Sequence, residues 1–162
     1  MFDLDFSNVT HDEPPNVEGV YKVRVTGVDS YTTKAGNARI TFTTVITEGP
    51  FENYTIKDGI NLPTKQQDNK KWWVRMLRAF GLSREEINQM FSVKAETLKE
   101  AQHIIHDAMI DLESYCHYRP AVGDEVYPHR SWLSEARAKA TAGSMANSAP
   151  EGGDPLDQFL NA

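Results

Sequence analysis

Three groups of residues in this 162-residue chain have the types and spacing that chemistry needs. The first is His103, His106, Cys116 and His117, which offer imidazole nitrogens and a thiol of the kind that binds zinc. Helical spacing turns His103 toward the polar face with Asp107 and leaves His106 on the flank. Cys116 and His117 are neighbours in a predicted strand, so their side chains leave opposite faces. These residues therefore read as surface histidines and a buried thiol, and neither a metal nor another cofactor is expected. The second group, Glu100, Asp107 and Asp111, lies on the outer face of one predicted helix, where a metal-dependent hydrolase or nuclease would need some neighbour to perturb its carboxylates. There is no Gly-rich phosphate loop, no His-Glu-x-x-His and no Ser/His/Asp arrangement that stands out. The chain reads as a protein that is not an enzyme.

The third group pairs cations with rings, the two devices that hold a single nucleic-acid strand: positive charge along phosphates and aromatic faces under bases. Lys22 and Arg24 share one face of a predicted strand, and Arg39 lies on the next. Tyr31 and Lys34 fall in the segment joining them. Tyr54 and Lys57 follow in a third strand, on opposite faces by strict alternation, and Tyr115, His117 and Arg119 share a face of a fourth. Taken singly, each has an ordinary explanation, since outer-face Lys and Arg are solvated and alternating tyrosines pack in cores. Their coincidence on the same predicted faces carries the nucleic-acid reading. Lys71, Arg75 and Arg78 read as the wet stripe of an amphipathic helix. Trp73 joins Met76, Leu77 and Phe80 on its apolar stripe, and Trp72, about 100° away, is read as packing.

The elements that must position these residues show in the periodicity. Period-2 alternation runs over Val20–Val28 and Asn37–Thr47, and a third strand is expected near Phe51–Lys57. Thr64-x-x-Gln67, Ser83-x-x-Glu86 and Thr97-x-x-Glu100 match capping boxes, opening helices over about 65–80, after Ser83, and over about 98–112. Tyr115–Arg119 and Glu125–Trp132 read as two more strands. The expected fold is mainly β with a helical insertion (α+β): a five-stranded OB-fold barrel with helices between the third and fourth strands. The domain plan is an acidic arm over 1–16, a barrel domain over 17–137, and a flexible linker with an acidic, apolar tip over 138–162. The tip residues are Asp154, Leu156, Asp157, Phe159 and Leu160.

Charge follows the same plan. The net charge is −6, yet all 17 Lys and Arg lie between Lys22 and Lys139, accompanied by 15 of the 23 acids. The body is slightly basic and both arms are acidic. No run of apolar residues is long enough to span a membrane, no secretory signal is visible, and the lone Cys116 fits a reducing compartment.

Barrel, linker and acidic–apolar tip together resemble single-stranded DNA-binding proteins. The body is similar to the phage-encoded branch, through Gly19-Val20-Tyr21-Lys22-Val23, Lys34-Ala35-Gly36-Asn37, the Trp73–Gly81 helix, Arg119-Pro120, Tyr127-Pro128 and Trp132-Leu133. The likeness covers roughly 17–135 and the tip, which ends Phe-Leu-Asn-Ala rather than on phenylalanine. It implies a protein of the host cytoplasm that coats single-stranded DNA in phage replication, recombination or repair. Its tip would recruit replication or recombination proteins, and a homo-oligomer is open. The rival expectation is a protein-binding module, a phage factor acting on a host enzyme with its acidic arms mimicking DNA.

Overall fold

The computed structural model describes residues 1–6, 9–64, 68–92 and 95–147. The expected tip, Asp154, Leu156, Asp157, Phe159 and Leu160, lies outside the described residues. Five strands form one antiparallel, curled sheet: β1 (Gly19–Thr32), β2 (Ala38–Ile46), β3 (Thr55–Asn61), β4 (Glu113–Arg119) and β5 (His129–Leu133), in the spatial order β3-β2-β1-β4-β5. Three helices, α1 (Lys70–Ala79), α2 (Arg84–Ser92) and α3 (Leu98–Met109), stand between β3 and β4 in the chain, and α4 (Glu135–Asn147) follows β5.

β1 is longer than its alternation suggested, because a bulge resets its register. Val25 pairs with Thr44 but Gly27 with Thr43, which leaves Thr26 as the extra residue. Before the bulge Val23 and Val25 are buried; after it the buried residue is Val28. Strict alternation would turn Tyr31 inward. The bulge instead places it on the outer face, opposite Arg39. Tyr31 therefore belongs to the strand and not to the joining loop, which shrinks to a tight turn around Gly36 (φ 87°).

Two clusters make up the core. Val25, Val28, Ile40 and Phe42 of the sheet pack against Trp73, Leu77, Phe80, Ile105 and Met109 beneath the helices. Val23, Ile46, Ile56, Cys116 and Tyr118 fill the inside of the curl, and Trp132 packs against both clusters. The Cys116 thiol is fully buried, and that burial pushes its pKa up, which leaves it a packing group.

Two of the three capping boxes are made. Ser83 and Glu86 exchange bonds of 3.0 and 3.1 Å, and Thr97 and Glu100 close the box before α3. The third, Thr64-x-x-Gln67, runs into residues outside those described. α1 begins at Lys70, after an Asn69 that makes no side-chain cap bond. α3 stops at Met109, short of the expected 112. There Asp111 turns with φ 65° and its amide donates to Val25 O, bringing the chain back to the sheet. β5 starts at His129 rather than Glu125, whose carboxylate is engaged by Arg119.

The linker expected from 138 onward is helical up to Asn147. Its alanines favour helix over every other choice. Ser134 starts it, accepting from Arg137 N and Ala138 N, and Ala138 is buried where α4 packs on β4, β1 and β5. At the other terminus the acidic arm is pinned from His11 to Pro15. His11 forms a parallel bridge with Tyr54, Thr55 N donates to Glu13 O at 3.0 Å, and Pro15 is buried. Among the described residues no helix is long and apolar enough to cross a membrane.

Candidate nucleic-acid interface

β3 and β5 are the two edges of the sheet, and the curl brings them face to face without a shared ladder. Side chains bridge the gap. Asp58 of β3 accepts from Trp132 Nε1 at 2.8 Å and pairs with Arg130 Nη2 at 3.5 Å. The Arg130 guanidinium also donates to Lys57 O. Farther along, Arg39 donates to Gly59 O (2.8 Å) and to Asn61 Oδ1 (3.2 Å). Asn61 O then takes Asn69 Nδ2 (2.6 Å) and Trp73 Nε1 (2.9 Å) from the start of α1. The edge carbonyls of β3 are thus met by side chains rather than offered to another strand.

α1 roofs this seam and leaves a cleft of about 490 Å³ lined by Arg39, Gly59, Trp72, Arg75, Arg130 and Trp132, among others. Trp72 is 60% exposed there, with Arg75 one turn on and its guanidinium carbon 5.0 Å from the ring centroid. Gly59 lets Arg39 lie flat across the strand, since a Cβ at that position would stand 2.8 Å from Arg39 Nε. Among the described residues neither Arg39 nor Arg75 is in an ion pair, while Arg130 is tied to Asp58. α1 has no acid in its first turn, where the helix dipole would favour one, and Lys70 and Lys71 stand there instead.

Register joins the cleft to the sheet's outer face. Tyr31 pairs with Arg39 and Arg39 with Asn61, so Tyr31, 48% exposed, stands two strand spacings, about 10 Å, from the edge where the cleft opens. Beside that row the outward positions of β1–β3 are Asp29, Thr41 and Gly59, then Gly27, Thr43 and Lys57, so the strip is floored mostly by small residues with the exposed Asp29 carboxylate next to Tyr31. Lys34 sits in the turn beside Tyr31. The result is a strip with an exposed ring at each end and arginines between.

The remaining expected residues lie elsewhere. Lys22, Tyr115, His117 and Arg119 do share one outer face, on the paired halves of β1 and β4. About 30 Å of strand separates Lys22 from Tyr31. Acids answer most of that region's charge. Lys22 meets Glu113 at 3.6 Å, and Arg119 meets Glu125 at 2.8 Å and Glu18 at 4.0 Å. The bidentate Arg119 bond holds the Glu125 carboxyl down at about 2. Arg24 is exposed on the same half, opposite Glu113 in the register. Lys57 pairs with Asp12 of the arm at 2.9 Å. Tyr54 precedes β3 rather than lying in it, with its ring stacked on His11 (4.6 Å) and in a T-shaped contact with Phe51 (5.3 Å), so it is engaged locally.

The histidines do not converge. His103 and His106 each reach Asp107, at 3.3 and 3.2 Å, while His117 meets the edge of the His129 ring at 5.4 Å. Among the described residues no group of three or more His, Cys, Asp and Glu could hold a metal ion.

Sequence reasoning missed three residues of the cleft. Trp72, read as packing, faces solvent; Arg75, read as ordinary wet surface, stacks on it; Arg130 was not singled out. One signal was available, since Trp72 and Arg75 stand at i, i+3 on a helix without acids. Comparison of the sequence with protein-family models and with curated proteins found no match.

Proposed function

We propose that the chain binds single-stranded DNA with little sequence preference, on an OB-type barrel whose binding strip runs from Tyr31 across Arg39 into the cleft at Trp72. The strand order of the curled sheet, with β3 and β5 facing each other across a seam and helices between the third and fourth strands in the chain, supports the OB-type reading. The observation that carries the reading is the strip itself: two exposed rings with mostly small residues between them, and Arg39 and Arg75 in no ion pair among the described residues. Rings accept any base because every base has a face to stack, and arginines follow the phosphates, so such a strip binds a strand without reading it. In this reading the protein carries out no reaction. It coats exposed strands in phage replication or recombination, in the host cytoplasm, and its C-terminal tip recruits a partner protein.

Fluorescence anisotropy with labelled oligo-dT tests the proposal. Binding at low salt should weaken steeply as salt rises, through loss of counterion release. Absence of binding at micromolar protein, together with tight capture of a protein partner, would favour the rival module with DNA-mimicking arms.

A further inference from the structure

The N-terminal arm carries apolar side chains that its own fold leaves uncovered. In Met1-Phe2-Asp3-Leu4-Asp5-Phe6 apolar and acidic residues alternate, and Phe2, Leu4 and Phe6 are 91%, 76% and 69% exposed. In an extended chain this period puts the three apolar side chains on one side and the two aspartates on the other. Scattered exposed apolar residues are ordinary, but a row of three on one side marks a docking segment.

Where the arm is pinned decides what it can reach. His11 bridges Tyr54 in parallel, at the start of β3. At His11 the chain therefore enters from beyond the beginning of that strand. A groove of about 230 Å³ lies at the other end, where Leu62 leaves β3, lined by Met90 and Phe91 of α2 and Ile104 of α3, with Lys70 of α1 at its side. β3 alone spans about 20 Å, and with Phe2, Leu4 and Phe6 exposed the arm's apolar row is not seated in its own groove. Among the described residues Lys70 has no ion-pair partner, and the groove's other lining is almost wholly apolar.

We propose that the arm of one copy docks in this groove on a second copy, with Phe2, Leu4 and Phe6 on the apolar lining and Asp3 and Asp5 toward Lys70. The contact joins two different surfaces. Each docked pair still has one free arm and one free groove, so association runs head to tail and extends rather than closing as a dimer.

Sedimentation velocity on the full chain without DNA tests this independently of the DNA reading. The average mass should climb with concentration, past that of two copies. Phe2→Ser/Phe6→Ser, in an exposed arm that the fold does not need, should remain monomeric, and so should Ile104→Glu. An equimolar mixture of the two variants retains one intact arm and one intact groove, and should form a heterodimer and nothing larger. A wild-type chain that stays monomeric throughout would overturn the proposal, whether the arm folds onto its own molecule or serves a foreign protein. Unchanged association of the arm variant, or a mixture that does not pair, would overturn it as well.

Discussion

Adjacent tryptophans on α1 do opposite work. Trp73 is fully buried and donates to Asn61 O, while Trp72 is 60% exposed with the Arg75 guanidinium over its ring. Trp73→Ala should cost about 3–5 kcal/mol of stability through the cavity it leaves. Trp72→Ala should leave the urea midpoint almost unmoved and weaken oligo-dT binding by about 1–3 kcal/mol, the worth of one stacked base. Denaturation and anisotropy on the same two variants check this, and a Trp72→Ala protein with wild-type affinity would remove the cleft from the strand's path. Helical period was enough to separate the two rings in angle and to assign Trp73 to the core. It could not show what lies beside Trp72, because the neighbours that make a cleft there, Gly59 and Arg130, come from β3 and β5. Tyr31 was legible as a ring near a cation. Its facing was not, because the bulge at Thr26 shifts the alternation by one residue and leaves no mark in hydropathy.

The seam between β3 and β5 is where the sheet depends on side chains instead of a ladder. Asp58 takes Trp132 Nε1, Arg130 and its neighbour's amide, Gly59 N, at 2.8 Å. Asp58→Ala should strand the Trp132 and Arg130 donors in a mostly buried place and cost about 2–4 kcal/mol. Asp58→Asn, which keeps one acceptor, should cost less. Urea denaturation measures both, and equal small losses would mean that packing alone holds the edges together. At this scale most of the fold was readable in the chain: the buried alternation of β2 and the capping boxes of α2 and α3 are local signals, and the structure bears them out. The seam was not, since it joins residues more than seventy positions apart. Nor was α4, whose small residues suggest a tether by composition and a helix by propensity. Ala138, small enough to sit flush against the sheet, settles it as a helix.

Charge is arranged over the whole molecule, and two dependences follow from its placement. Burial lowers the pKa of His117, with His129 and Arg119 adding to that and the Glu18 carboxylate opposing it. The folded chain then takes up this proton at lower pH than the unfolded chain does, near 6.5. Stability is full above that value and falls as pH drops through it, because only the unfolded state gains a proton there. His117→Gln should flatten this fall in urea midpoints measured on either side of the histidine range. The second dependence separates the two basic regions of the outer face. Strand binding along the cleft would engage Lys34, Arg39 and Arg75, whereas Arg130 is already paired with Asp58; three phosphate contacts on a single strand give a slope of log affinity against log salt of about −2. Removing one contact should make that slope shallower by about 0.7, so Arg39→Ala should lower both affinity and slope. Lys22, already paired with Glu113 at the far end of β1, releases no counterion that Glu113 has not displaced. Lys22→Ala should therefore leave the slope where it was. Anisotropy titrations across a salt series compare the variants directly. If Lys22→Ala flattens the slope as much as Arg39→Ala does, the strand lies over the β1–β4 wall and the cleft is not its path.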